Sequence, residues 1–213
     1  MNFIPEALDQ YAVEHTQQEP ELLAQLSRET FQKVLQPRML SGHYQGRLLS
    51  LLSKIIAPKR ILEIGTYTGY SALCLAEGLR TGGELHTIDI NEELTDLQKK
   101  YFDISSYKDQ IHPHLGDALE IIPQLSGTFD LVFMDADKPN YPAYFNLIIE
   151  KINPGGILLT DNVLWSGKVV EEVKEDDIST IALLKYNKMI AEDERLETIL
   201  LPIRDGLSIT RVK

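Results

Sequence analysis

Between Arg60 and Thr160 the chain alternates five short apolar runs with stretches of helical periodicity, and this alternation restricts the fold more than any other feature of the sequence. The runs are Arg60 to Ile64, Glu84 to Ile90, Ile111 to Leu115, Phe129 to Met134 and Gly156 to Thr160, each bounded by turn residues. Strands separated by helices pair in parallel and need cover on both faces, so an α/β sheet with helices on either side is expected. Two later runs, Thr198 to Pro202 and Leu207 to Val212, flank Ile203-Arg204-Asp205-Gly206. Asp-Gly marks a tight turn there, which predicts a hairpin at one sheet edge. Ahead of the first strand, apolar residues recur at helical spacing from Pro5 to about Leu35, with Pro20 in the first turn of a second helix. Arg38 to His43 reads as a loop, and Gln45 to Ile56 as a helix that Pro58 ends.

A chain of 213 residues, 43% of them hydrophobic, buries a full core, and one domain over 1–213 is expected, with 1–36 as a helical cap region. The formal charge of −11 and a pI near 4.9 oppose phosphate backbones and anionic lipid. Cys74 is the only cysteine, which excludes an internal disulfide and a cysteine-rich zinc site; among Ala72, Leu73, Leu75 and Ala76 it reads as a buried helix residue. Met1 to Glu6 lack a basic start and no apolar run approaches a membrane span, so a cytoplasmic location is the expectation.

The first strand runs through Glu63-Ile64-Gly65-Thr66-Tyr67-Thr68-Gly69-Tyr70-Ser71 into a helix, with glycines that let backbone approach a ligand. The spacing is Gly65-x-x-x-Gly69, not the G-x-G-x-x-G of dinucleotide sites, and Glu63 at the same crevice would repel a pyrophosphate. Asp89 ends the second strand about 20 residues after Gly69, where a carboxylate can accept from ribose hydroxyls. Glu63 and Asp89 together suit a cationic nucleoside such as S-adenosylmethionine (SAM). Asp117, after Gly116, can receive the adenine amine, or cap the helix that follows, or do both.

Two more strands end in carboxylates, at Asp135 and at Asp161, the latter followed by Asn162. Two acids and an amide are hard oxygen donors suited to Mg²⁺, with Mn²⁺ or Ca²⁺ as alternatives, and they leave coordination positions for a vicinal diol. A phenolic hydroxyl on such an ion deprotonates more easily, and Lys138 in Asp135-Ala136-Asp137-Lys138 is placed to take that proton. Trp165, Tyr141 and Tyr44 are candidates to stack on an aromatic acceptor, with His43 beside them. His15, His86, His112 and His114 show no partner pattern and read as structural or surface residues.

With these residues in place, the chain from about Met39 onward resembles the SAM-dependent class I O-methyltransferases of the caffeoyl-CoA and catechol type. The matching runs are Glu63 to Ser71, Gly116 to Ala118, Phe133 to Lys138, Asp161-Asn162-Val163-Leu164-Trp165-Ser166-Gly167 and Asp205 to Leu207. The resemblance implies a Rossmann-like seven-stranded sheet, mostly parallel with an antiparallel last strand, and a homodimer. It implies metal ligation by Asp135, Asp161 and Asn162 with Lys138 as base. For SAM it implies Met39, Ser41, Glu63, Gly65, Ser71, Asp89, Asp117, Ala118, Asp135 and Asp137. The expected partner is a small aromatic hydroxyl compound, catechol-like. Two alternatives are methylation of hydroxyuridine in tRNA by the same fold and a SAM-binding protein without catalysis. Departures from plant relatives lie on the acceptor side, at His43, Tyr44 and Ser166.

Overall fold

A computed structural model describes residues 4–213. Two helices, α1 (Glu6–Glu14) and α2 (Glu21–Lys33), precede a 3-10 turn at Pro37–Met39 and the long helix α3 (Gly42–Ile56). Next come β1 (Arg60–Ile64), α4 (Tyr70–Ala76), β2 (Glu84–Asp89), α5 (Thr95–Ile104), β3 (Ile111–Leu115), α6 (Ala118–Gln124), β4 (Phe129–Met134) and α7 (Tyr141–Ile148). The chain closes with β5 (Ile152–Asp161), α8 (Ile178–Glu192), β6 (Leu196–Leu201) and β7 (Leu207–Val212). Among the described residues no helix is long and apolar enough to cross a membrane.

The strands form one seven-stranded sheet in the order β3-β2-β1-β4-β5-β7-β6. The β1 to β5 strands pair in parallel, β7 runs antiparallel to both β5 and β6, and the hairpin occupies one edge as its Asp-Gly turn predicts. Because side chains alternate across a strand, the sheet feeds two cores. Leu62, Val132, Met134 and Leu158 pack with Tyr141, Phe145 and Tyr186 of α7 and α8 on one face. Ile61, Leu131 and Phe133 pack with Leu26, Leu49, Tyr70 and Leu75 of α2, α3 and α4 on the other. Each fully buried side chain of this size contributes roughly 1.5–3 kcal/mol.

Three boundaries differ from the sequence reading. The β5 strand starts at Ile152, four residues earlier than its glycines suggest, because the chain bulges between the pair Phe129↔Ile152 and the pair Leu131↔Ile157. The β6 strand spans Leu196–Leu201, shifted toward the N-terminus. Helix α3 begins at Gly42, so His43 and Tyr44 are helical and not part of a loop. Gly46 on α3 allows the close approach of α4, since a Cβ there would stand 2.6 Å from the Tyr70 ring. Cys74 is fully buried in α4, and burial pushes its thiol up to about 12.

Candidate active site

A cavity of about 1110 Å³ opens where β1, β2, β3, β4 and β5 reach their carboxyl ends, the position where open α/β sheets collect ligands. Its far wall is the segment Lys33 to Ser41, which leads from α2 to α3 and includes Met39 and Ser41. The N-terminal region is held to the sheet side by Leu23 and Leu26 in the second core and by Thr30, whose hydroxyl donates to that of Thr68.

On the β1 to β3 side, the strand-end acids are set by backbone donors. Asp89 accepts from Tyr67 N at 2.6 Å and from Asn91 N at 2.8 Å. Asp117 accepts from Leu119 N at 2.8 Å, so it caps α6 while lining the cavity. Ser71, Ala118, Asp137 and Gly65 line the cavity as well. Gly65 (φ +102) is required for a reason the sequence does not disclose: a Cβ there would stand 2.0 Å from the Asp135 carbonyl oxygen, so the next strand end crowds it. Gly69 (φ +89) likewise faces the Phe102 ring.

Glu63 corrects the expectation that it points at the crevice. Alternation along β1 turns it, like Ile61, beneath α4; it is fully buried and does not line the cavity. Thr87 Oγ1 donates to it at 2.5 Å and Ser71 also bonds to it, while Oε1 has no partner among the described residues. Burial, opposed by these hydrogen bonds, pushes its carboxyl up to about 8.

On the β4 to β7 side, Asp135, Asp161 and Asn162 all line the cavity. Asp161 is 4% exposed; Gln45 Nε2 donates to its Oδ2 at 2.6 Å and Asn162 N to its Oδ1 at 2.8 Å. Burial, and then the like charge of Asp135, push the Asp161 carboxyl up to about 6, against the pull of Gln45, Arg204 and the Asn162 N–H. Two carboxylates thus converge where water is scarce, a repulsion that a cation would relieve. Among the described residues no group of three or more His, Cys, Asp and Glu side chains is placed to hold a metal ion, so the hard oxygen donors gathered here are two carboxylates and the Asn162 amide. Asn162 sits in the left-handed region (φ +58), and the loop it opens is pinned by Val163 N to Gly206 O and Leu164 N to Asp205 O.

Lys138, 7% exposed, donates to Asp135 Oδ1 at 3.0 Å, Ala136 O at 2.9 Å and Tyr141 Oη at 2.7 Å. Its Nζ also lies 5.9 Å from the Trp165 ring centre. Trp165 lines the cavity beside Asn162. Tyr141 does not: it is fully buried beneath Lys138, and its hydroxyl donates to Asp161 O at 3.2 Å. Starting α3 at Gly42 also takes His43 and Tyr44 away from the cavity wall, and the His43 ring bonds to Gln17 O at 2.7 Å. None of those three rings therefore lines the cavity.

Sequence reasoning did not find Gln45 and Arg204, which brace Asp161 from distant parts of the chain and belong to no local pattern. It also read three histidines as partnerless. Parallel register sets His86 opposite His112, alternation brings His114 to the same face, and His86 Nδ1 lies 3.0 Å from His114 Nε2.

Comparison with known proteins places the chain. A model of the O-methyltransferase family matches residues 13–213. A caffeoyl-CoA O-methyltransferase from Eucalyptus gunnii is 35% identical, over 97% of this chain and 87% of its own length. Caffeoyl-CoA O-methyltransferase 5 from Nicotiana tabacum is 34% identical, over 97% of this chain and 91% of its own. An O-methyltransferase from Bacillus cereus, solved with SAH, superposes with a TM-score of 0.89 at 30% identity over 97% of both chains. A SAM complex of an O-methyltransferase of tomaymycin synthesis from Streptomyces achromogenes gives 0.87 at 29% identity, covering 97% of this chain and 96% of that one. The chain belongs to the O-methyltransferase family, as a SAM-dependent methyltransferase of the caffeoyl-CoA O-methyltransferase type with the Rossmann-like fold of that group.

Proposed function

We propose that this family member holds SAM across the ends of β1, β2 and β3, holds a divalent cation with Asp135, Asp161 and Asn162, and methylates a hydroxyl of a small catechol-like acceptor. The observation that carries the reading is the convergence of the Asp135 and Asp161 carboxylates, with the Asn162 amide, in the same cavity as Asp89 and Asp117. Asp89 and Asp117 are the acceptors for ribose and adenine, Met39 and Ser41 close the far wall, and Ser71, Ala118, Asp135 and Asp137 complete the cofactor contacts. A divalent cation held by Asp135, Asp161 and Asn162, Mg²⁺ first among them, would supply positive charge against the acceptor hydroxyl as it loses its proton.

Lys138 takes the acceptor's proton at Nζ. Once it is an ammonium group, Asp135 Oδ1, Ala136 O and Tyr141 Oη receive all three of its hydrogens, so the protonated state is fully satisfied on arrival. Before that, a neutral amine has one hydrogen fewer to place, and the Tyr141 hydroxyl is placed to turn toward its lone pair. Trp165 supplies an aromatic wall. Glu171, Glu172, Glu175 and Asp176, all exposed, lie on the segment that leads from Trp165 to Ser179 on the cavity wall. Against Lys168 and Lys174 on the same segment those acids leave it net negative, which favours a compact neutral or cationic acceptor over tRNA or another polyanion. Exposed Leu8, Tyr11, Leu51 and Ile55 on α1 and α3 support the expected homodimer.

The test is methyl transfer from labelled SAM to a panel of catechols and to hydroxyuridine-containing tRNA, with and without chelator. Catechol turnover that chelator abolishes and Mg²⁺ restores is expected. Turnover indifferent to chelator overturns the cation, and tRNA as the sole acceptor overturns the substrate class.

A further inference from the structure

Gln45 is 3% exposed on α3, and its two amide ends face opposite partners. Nε2 donates to Asp161 Oδ2 at 2.6 Å, while Oε1 accepts from Arg204 Nη1 at 2.6 Å. The same Nη1 also donates to Ser41 O, and Nη2 lies 3.4 Å from Leu40 O, so one guanidinium grips both the amide and the far wall of the cavity.

The two ends of a glutamine amide are nearly the same shape, and only their partners decide which way round it sits. Arg204 can only donate. It therefore requires Oε1 on its own side and leaves Nε2 for Asp161. Without it, half a turn of the amide would set Oε1 against Asp161 Oδ2, acceptor against acceptor. With it, one oxygen of Asp161 is fixed by Gln45 and the other by Asn162 N at 2.8 Å, and the plane of the carboxylate is set. Arg204 holds this place in the left-handed region (φ +51), a conformation that an arginine adopts less readily than a glycine, in the turn between β6 and β7.

We propose that Arg204 is a positioning residue for the cation site, acting on Asp161 through Gln45 and tying that site to the Leu40–Ser41 wall. The inference rests on the cation reading given under Proposed function. Partners that orient a ligating carboxylate change metal affinity by roughly 10- to 100-fold when removed.

Calorimetric titration of the full chain with Mn²⁺ alone, and separately with SAH, tests it in wild type, Gln45→Leu, Arg204→Gly, Arg204→Lys and the double variant of Gln45→Leu with Arg204→Gly. Mn²⁺ affinity should fall about 10-fold or more in Gln45→Leu and in Arg204→Gly, with no further loss in the double variant, because one residue works only through the other. Arg204→Lys, which keeps a donor for Oε1, should restore Mn²⁺ affinity to within about 3-fold of wild type, and SAH affinity should fall in Arg204→Gly more than in Gln45→Leu. Glycine relaxes the left-handed turn, so the thermal midpoint of Arg204→Gly should stay within a few degrees of wild type, which separates a positioning loss from unfolding. If Gln45→Leu fails to fold, the two Arg204 variants still decide the question. Mn²⁺ affinity unchanged in Arg204→Gly, or losses that multiply in the double variant, overturns the relay. Wild-type protein that takes up no Mn²⁺, or an Asp161→Ala variant that takes it up normally, overturns the cation reading itself and is recognised before any relay variant is compared.

Discussion

The two halves of the cavity hold their acids by different means. Asp89 and Asp117, at the ends of β2 and β3, are fixed by main-chain N–H groups only two to twenty-two residues away in sequence. Asp135 and Asp161, at the ends of β4 and β5, are fixed largely by side chains: Lys138, Gln45 and, behind Gln45, Arg204. A backbone donor persists whatever side chain it carries, so the first half tolerates change around it. The second half depends on particular side chains contributed by α3 and the β6–β7 turn. The difference fits a division between a nucleoside-binding side that needs fixed acceptors and a reacting side whose charge must be balanced.

The sharpest way to break that comparison is Asp161→Ala. Turnover should fall by roughly three orders of magnitude, the several kcal/mol expected for lost cation stabilisation, while SAH affinity by calorimetry stays within a few-fold of wild type. Equal losses in rate and SAH affinity would merge the two halves into one.

A smaller effect concerns Glu63, buried between them. Burial pushes its folded carboxyl up to about 8, from an ordinary value of about 4.5, so the unfolded chain releases that proton first as pH rises. Stability therefore falls between about pH 4.5 and 8 through this group, and the cost is complete above 8. Glu63→Gln, neutral throughout, should raise the thermal midpoint at pH 9 by a few degrees and leave it nearly unchanged at pH 4. A midpoint at pH 9 equal to wild type would mean that burial does not hold the Glu63 carboxyl above its ordinary range.

The smallest effect tests the backbone-held side. Asp117→Ala should cost about 1 kcal/mol through loss of the α6 cap, read as a drop of roughly 2–4 °C, together with weaker SAH binding. Weaker binding with no change in midpoint would leave a ligand without a cap.

Much of this was legible in the sequence, and the same contrast explains why. Strand ends, the Asp-Gly hairpin and the carboxylates at 89, 117, 135 and 161 are local patterns, and local patterns fix local geometry. Asp117 as both cap and wall residue follows from three neighbouring residues. Gln45 meets Asp161 across 116 residues and Arg204 meets Gln45 across 159, and nothing local announces such meetings. Glu63 was misplaced because its motif names the crevice, whereas strand alternation decides which side of the sheet it enters. His43 and Tyr44 were misplaced by three residues of helix boundary at Gly42, enough to turn both rings off the wall.

Gly65 joins the halves. With the Asp135 carbonyl against the α-carbon of Gly65 and Asp135 N bonded to Ile64 O at 2.9 Å, the tips of β1 and β4 are in contact. The proposed donor and acceptor shelves therefore have no hinge between them, and on that reading the gap a methyl group must cross is built during folding. Exchange of rim residues can retarget such an enzyme to new acceptors without retuning that gap, whereas any side chain at position 65 would wedge it open.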